Sequence, residues 1–180
     1  MLVSSYDLIS FYLAIELQSL SFYVLAAYQR NSAFSTEAGL KYFVLGAVSS
    51  GLLLFGSSLI YGFSGATSFE VFSRLFAENF ISYSNYDYLL LILGLIMLIC
   101  GLMFKLTAAP FHVWAPDVYE GAPMPTTAFF SIVPKIAIFA LLIRILFTSF
   151  SDFVSFWQII LIICALASMI FGAFGALQQK

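Results

Sequence analysis

A chain of 180 residues with 62% hydrophobic and 9% charged side chains is not composed like a water-soluble domain, where roughly a quarter of residues are charged. Its net charge of −2 excludes a basic nucleic-acid-binding surface, and a mean hydropathy of +1.02 makes lipid the solvent. About 20 mainly apolar residues cross the ~30 Å hydrocarbon core as a helix, and five stretches reach that length.

The first stretch runs near Leu8–Tyr28. Tyr12, Glu16, Ser19 and Tyr23 recur at helical spacing, which sets one carboxylate and three hydroxyls on one face. The second runs near Glu37–Phe63 with Lys41 close to its start, where a long stem can snorkel to the interface. Gly46 and Ser50 give it small-xxx-small spacing, which permits close helix approach. The connection Ser64–Asp87 holds Glu70, Arg74, Glu78 and Asp87 among Phe69, Phe72, Phe76 and Phe80. That pattern predicts a short amphipathic helix at the membrane interface, with an irregular polar loop as the alternative.

The third stretch, near Tyr88–Ala109, contains Gly101 and Lys105 and meets Pro110. A proline lacks a donor and clashes with the carbonyl four residues back, so the helix is predicted to break just after Lys105. At membrane depth a broken helix is tolerated only inside protein or beside a wet cavity. Pro110–Pro125 then holds His112, Trp114, Asp117, Tyr119 and Glu120. His112 is the single histidine, a candidate relay or a structural donor; Asp117 and Glu120 are expected to face water. The fourth stretch, near Thr126–Phe147, carries Pro134 and Lys135 near mid-depth and Arg144 as an interface anchor. The fifth, near Phe153–Leu177, offers Ala165, Ser168, Gly172 and Gly175 as a small-residue packing face.

Glu16, Lys41, Lys105 and Lys135 thus sit inside apolar segments, at a cost of ~2.5–3.5 kcal/mol each on insertion scales. Such charges face a protein interior or a water-filled path and mark ion or proton routes. Cys100 and Cys164 read as buried thiols, with no disulfide or metal site expected. Met1–Ser5 lacks a basic region and no cleavage site follows, so the chain is expected to insert as it stands or to be made inside an organelle. Arg30 and Lys180 fall on one side and Arg74 and Arg144 on the other, which leaves orientation open.

The runs Leu13–Tyr28, Ser35–Gly56 and Phe104–Pro123 resemble the NADH dehydrogenase subunit 2 family, antiporter-like membrane subunits of respiratory complex I. The resemblance implies an all-α membrane protein of about five transmembrane helices, one discontinuous near Lys105–Pro110, forming a single membrane domain over 1–180. It also implies a proton relay. Glu16 matches the family's fifth-helix glutamate, Lys41 the sixth-helix lysine, Lys105 the lysine at the seventh-helix break, and Lys135 the eighth-helix lysine. His112 falls on a histidine often seen in the family motif.

Family members have about fourteen helices in two inverted repeats. This chain is expected to hold most of the first, without its opening helices, and none of the second. The implied function is proton translocation in the membrane arm of NADH:ubiquinone oxidoreductase, with no cofactor in this chain and quinone chemistry elsewhere. Implied partners are other membrane-arm subunits, including other antiporter-like ones, a chain completing the second repeat, and lipids. The 21 Phe and 10 Tyr fit an AT-rich organellar gene and hence the mitochondrial inner membrane, with a bacterial plasma membrane as the alternative. Competing functions are a subunit of a multi-subunit sodium/proton antiporter and a structural remnant of the membrane arm. The four costly intramembrane charges argue against a remnant.

Overall fold

A computed structural model describes residues 1–79 and 85–178. Phe80, Gln179, Lys180 and the side chain of Glu78 lie outside the described residues. The described elements are helices: α1 (Leu8–Ala26), α2 (Ala33–Ser64), α3 (Phe69–Asn79), α4 (Asn85–Leu106), α5 (Ala115–Gly121), α6 (Met124–Arg144) and α7 (Val154–Gln178). A π-helical turn over Ile145–Ser149 and a 3-10 turn over Ser151–Phe153 join α6 to α7. Among the described residues, five segments are long and apolar enough to cross a membrane: Leu8–Ala26, Ala33–Ser64, Tyr86–Leu106, Met124–Ser149 and Ser151–Gln178. The all-α membrane fold expected from the sequence is present.

Local chemistry sets the ends that composition leaves vague. α2 starts before the expected Glu37 because Ser32 caps it, its hydroxyl accepting from the Ser35 N–H at 3.4 Å. It stops because Gly65 takes φ 67° and returns its N–H to the Tyr61 carbonyl at 2.8 Å. Glycine enters that left-handed region without steric cost.

In lipid, apolar burial gives helices little reason to associate, and close van der Waals contact takes over. α2 and α4 meet through glycines. A Cβ on Gly56 would stand 2.7 Å from the Gly94 carbonyl oxygen and from the Leu98 nitrogen, and one on Gly101 would stand 2.5 Å from the Leu53 side chain. Leu53, Ile60, Leu95, Leu98, Ile99 and Leu102 fill the seam and are fully buried. α1 docks on α2 where Gly46 leaves room for the Tyr23 ring and hydroxyl, so the small-xxx-small spacing serves that contact.

α3 is amphipathic, as its phenylalanine spacing predicts. Its apolar face turns inward, however. Phe69, Phe72 and Phe76 are buried, and Phe72 and Phe76 pack on Phe150 at ring distances of 6.0 and 5.6 Å. Arg144 anchors the N-terminal segment, donating to the Val3 carbonyl at 2.9 Å with its guanidinium 4.2 Å above the Tyr6 ring.

The expected packing face of α7 is a correction. Of this helix only Trp157 and Cys164 are buried. Ala165, Gly172 and Gly175 are exposed, and a Cβ on either glycine would meet nothing within 4 Å. α7 leans on the bundle by its first half, where the Trp157 indole donates to the Phe150 carbonyl at 2.9 Å. Ser168 alone of the four small residues is engaged.

Candidate functional site

α4 stops at Leu106, one residue beyond Lys105, where the sequence placed the break rather than at Ala109. The stop is a Schellman cap: the Ala108 N–H reaches the Met103 carbonyl at 3.0 Å and the Thr107 N–H reaches the Phe104 carbonyl at 3.1 Å. The left-handed residue of the cap is Thr107, with φ 59°. Glycine is usual there, and a residue with a Cβ costs roughly 1–2 kcal/mol. The Trp114 indole folds the following loop back, donating to the Phe104 carbonyl at 3.2 Å. The Ala109 N–H donates to Ser168 Oγ at 3.0 Å, and that hydroxyl donates to the Cys164 carbonyl at 2.7 Å. The break is therefore satisfied from inside the protein, as membrane depth requires. Thr107 touches Lys135, eleven residues past the start of α6, roughly 16 Å along its axis at 1.5 Å per residue.

Lys105 is buried, 8% exposed. Its ammonium donates to Ser19 Oγ at 2.9 Å and to Tyr23 Oη at 3.3 Å. Ser19 accepts that proton while donating its own to the Ile15 carbonyl at 2.8 Å. Glu16 lies one turn before Ser19 on the same face and within electrostatic reach of Lys105, but makes no ion pair with it. Glu16 Oε1 is buried with no hydrogen-bond partner among the described residues. The site therefore brings Glu16 and Lys105 together through space, with the hydroxyls of Ser19 and Tyr23 on the ammonium.

Lys135, placed near mid-depth by the sequence, has side-chain partners on two other elements. Its ammonium donates to Thr107 Oγ1 at 2.7 Å and stands 5.5 Å over the Tyr119 ring, within cation–π range. Burial pushes the Tyr119 phenol up from its ordinary value, the Thr107 hydroxyl opposing, so the group stays a neutral O–H. That phenol has no hydrogen bond of good geometry. A cavity of about 20 Å³ opens between the two lysines, walled by Gln18, Ser19, Tyr42 and Tyr119 together with apolar side chains. A water needs ~10–15 Å³ of such space and two to four polar partners, and both conditions are met.

His112, a candidate relay by sequence, does not line this cavity. Its ring packs on Phe171 at 5.5 Å, and its Nδ1 is buried without a partner.

Lys41 does not snorkel alone. Its ammonium pairs with Asp117 at 2.7 Å and with Glu37 at 2.9 Å. These three residues and Glu120 line a polar hollow of about 180 Å³ between α2 and α5. Asp117 is exposed, as expected, but not free: it ties α5 to α2. Among the described residues, no group of three or more His, Cys, Asp or Glu is placed to hold a metal.

Sequence reasoning missed Thr107 and Gln18 and gave Tyr119 no role. A hydroxyl two residues past a lysine at a predicted helix stop was the available signal for Thr107. Gln18 falls outside the Tyr12–Tyr23 face and offered none.

The profile of the family described as NADH:quinone oxidoreductase/Mrp antiporter, transmembrane, matches residues 5–180. The chain belongs to that family. It is 54% identical to NADH-ubiquinone oxidoreductase chain 2 of Marchantia polymorpha over 99% of this chain and 36% of that one. It is 50% identical to NADH-quinone oxidoreductase subunit N of Paramagnetospirillum magneticum over 99% of this chain and 37% of that one. A chain of respiratory complex I from Thermus thermophilus superposes with TM-score 0.66 at 36% identity, over 79% of this chain and 30% of that one. This antiporter-like chain thus spans about a third of the length of the curated relatives it matches.

Proposed function

We propose that this chain forms part of a proton-translocating subunit in the membrane arm of an NADH:quinone oxidoreductase, driven by electron transfer elsewhere in that complex. The observation that carries the reading is the Lys105–Lys135 pair at the helix break, joined by a water-sized cavity and held by hydroxyls and aromatic faces, with no carboxylate in contact among the described residues. A hydroxyl solvates an ammonium without neutralising it, so no carboxylate traps the proton. Lys105 is the proton-exchanging group and takes its electrostatic bias from Glu16. A water between the lysines hands the proton to or from Lys135, whose ammonium Thr107 and Tyr119 hold. The relatives named as oxidoreductase chain 2 and subunit N support the complex, and so does the complex I chain from Thermus thermophilus.

In this reading residues 1–180 are one membrane domain, most of one antiporter-like repeat. The partners are other membrane-arm subunits, a segment supplying the second repeat, and lipids, with the mitochondrial inner membrane as location. No cofactor is assigned to this chain. Lys41 acts chiefly as the tie between α2 and α5, and His112 packs the loop against α7.

The test is Lys105→Ala in the assembled complex, with NADH oxidation and proton uptake followed together in vesicles. Assembly is expected to persist and proton translocation to be lost. Undiminished translocation in a fully assembled variant overturns the reading. The shared family description leaves a sodium/proton antiporter subunit as the second reading; sodium movement without NADH oxidation in the native assembly would select it.

A further inference from the structure

Only Leu106 separates Lys105 from Thr107, and the cap sends their side chains to different partners. Lys105 turns to Ser19 and Tyr23 on α1, whereas Thr107 turns to Lys135 on α6. That divergence depends on the left-handed Thr107 backbone, which a non-glycine residue adopts only at a cost. Glycine would make the same cap without strain. The cap therefore gives no reason for a threonine; the hydroxyl does. It accepts from Lys135 at 2.7 Å, and its own proton remains to be given. Beside it lies the buried Tyr119 phenol, which among the described residues has no other hydrogen-bonding group against it and no bond of good geometry to Thr107. Thr107 also lines a cleft of about 590 Å³ between α4, α6 and α7, onto which Lys135 does not open. Without that hydroxyl the ammonium has an aromatic face and the small cavity, but no fixed acceptor.

We infer that Thr107 is a positioning residue for proton transfer: its hydroxyl holds the Lys135 ammonium at the mouth of the Lys105 cavity, and the strained cap exists to present it. This deepens the proton-relay reading and rests on it. Thr107 couples the two lysines mechanically, since any rewinding of the α4 terminus that returned residue 107 to a right-handed conformation would withdraw the hydroxyl from Lys135. The Tyr119 ring supports the ammonium from the other side, through its face rather than its phenol.

The experiment compares Thr107→Ser, Thr107→Gly and Thr107→Val in the assembled complex, reading protons translocated per NADH oxidised and the amount of assembled complex. Thr107→Ser keeps the hydroxyl. Thr107→Gly removes it while easing the backbone, so it keeps the test valid if Thr107→Val fails to assemble. The inference predicts near-native coupling in Thr107→Ser and about a tenfold fall in protons translocated per NADH oxidised in Thr107→Gly, the scale of a hydrogen bond to a charged group. Native coupling in Thr107→Gly, or equal loss in Thr107→Ser and Thr107→Gly, overturns it. The proton-relay reading fails separately, by native coupling in Lys105→Ala.

Discussion

Three lysines of this chain lie within helices that cross the membrane, and the protein treats them in two ways. Lys41 meets two carboxylates, Glu37 and Asp117, at the edge of a polar hollow, and its side chain is 41% exposed. Lys105 and Lys135 meet hydroxyls and aromatic faces around a helix break, Lys105 at 8% exposure. A carboxylate partner neutralises an ammonium and fixes its proton, which suits a tie between helices. A hydroxyl partner offsets part of the desolvation and leaves the proton free to leave, which suits exchange. In the proposed relay, partner chemistry, more than the presence of a lysine in an apolar segment, sets the structural lysine apart from the exchanging ones.

That contrast can be broken at several points. The largest effect is expected at the scaffold beneath both regions. Gly56→Ala places a methyl 2.7 Å from α4 backbone, which α2 and α4 cannot absorb without separating. Assembled complex, measured by native gel, should fall severalfold or vanish, and normal assembly would show the seam to be looser than drawn. Next comes Ser19→Ala, which removes one of two hydroxyls on the Lys105 ammonium. Hydrogen bonds to charged groups are worth roughly 1.5–3 kcal/mol, so the coupled rate should drop about tenfold or more with assembly intact. A drop below twofold would mean that Tyr23 alone suffices.

A smaller effect is expected from Asp117→Asn. Glu37 still pairs Lys41, so proton translocation should fall by no more than about twofold, while limited proteolysis at the α5 loop should quicken. Loss of translocation comparable to Ser19→Ala would place Lys41 among the exchanging groups. Least of all is expected from Gly172→Ala within this chain, because nothing lies near the added methyl. Its effect on assembly would measure what other segments pack on α7.

The five spans were legible because apolar runs of membrane length have few other readings, and the break was legible because Pro110 cannot continue a helix. The cap that ends α4 was not, since a left-handed threonine carries no sequence signal where glycine is the usual residue. Glu16, Ser19 and Tyr23 were legible as one face by helical period. Their meeting with Lys105 was not, because that contact joins residues 86 and 82 positions apart. Lys41–Asp117 spans 76 positions and Lys135–Thr107 spans 28, so neither partner could be read locally. The small residues of α7 misled because periodicity identifies a face without saying what covers it.

The most direct test of the contrast sets Lys105→Ala beside Lys41→Ala in the same assembled complex, with protons translocated per NADH oxidised as the readout. The account predicts loss of translocation in Lys105→Ala and at least half the native ratio in Lys41→Ala. Equal loss in the two variants, at equal assembly, would contradict it.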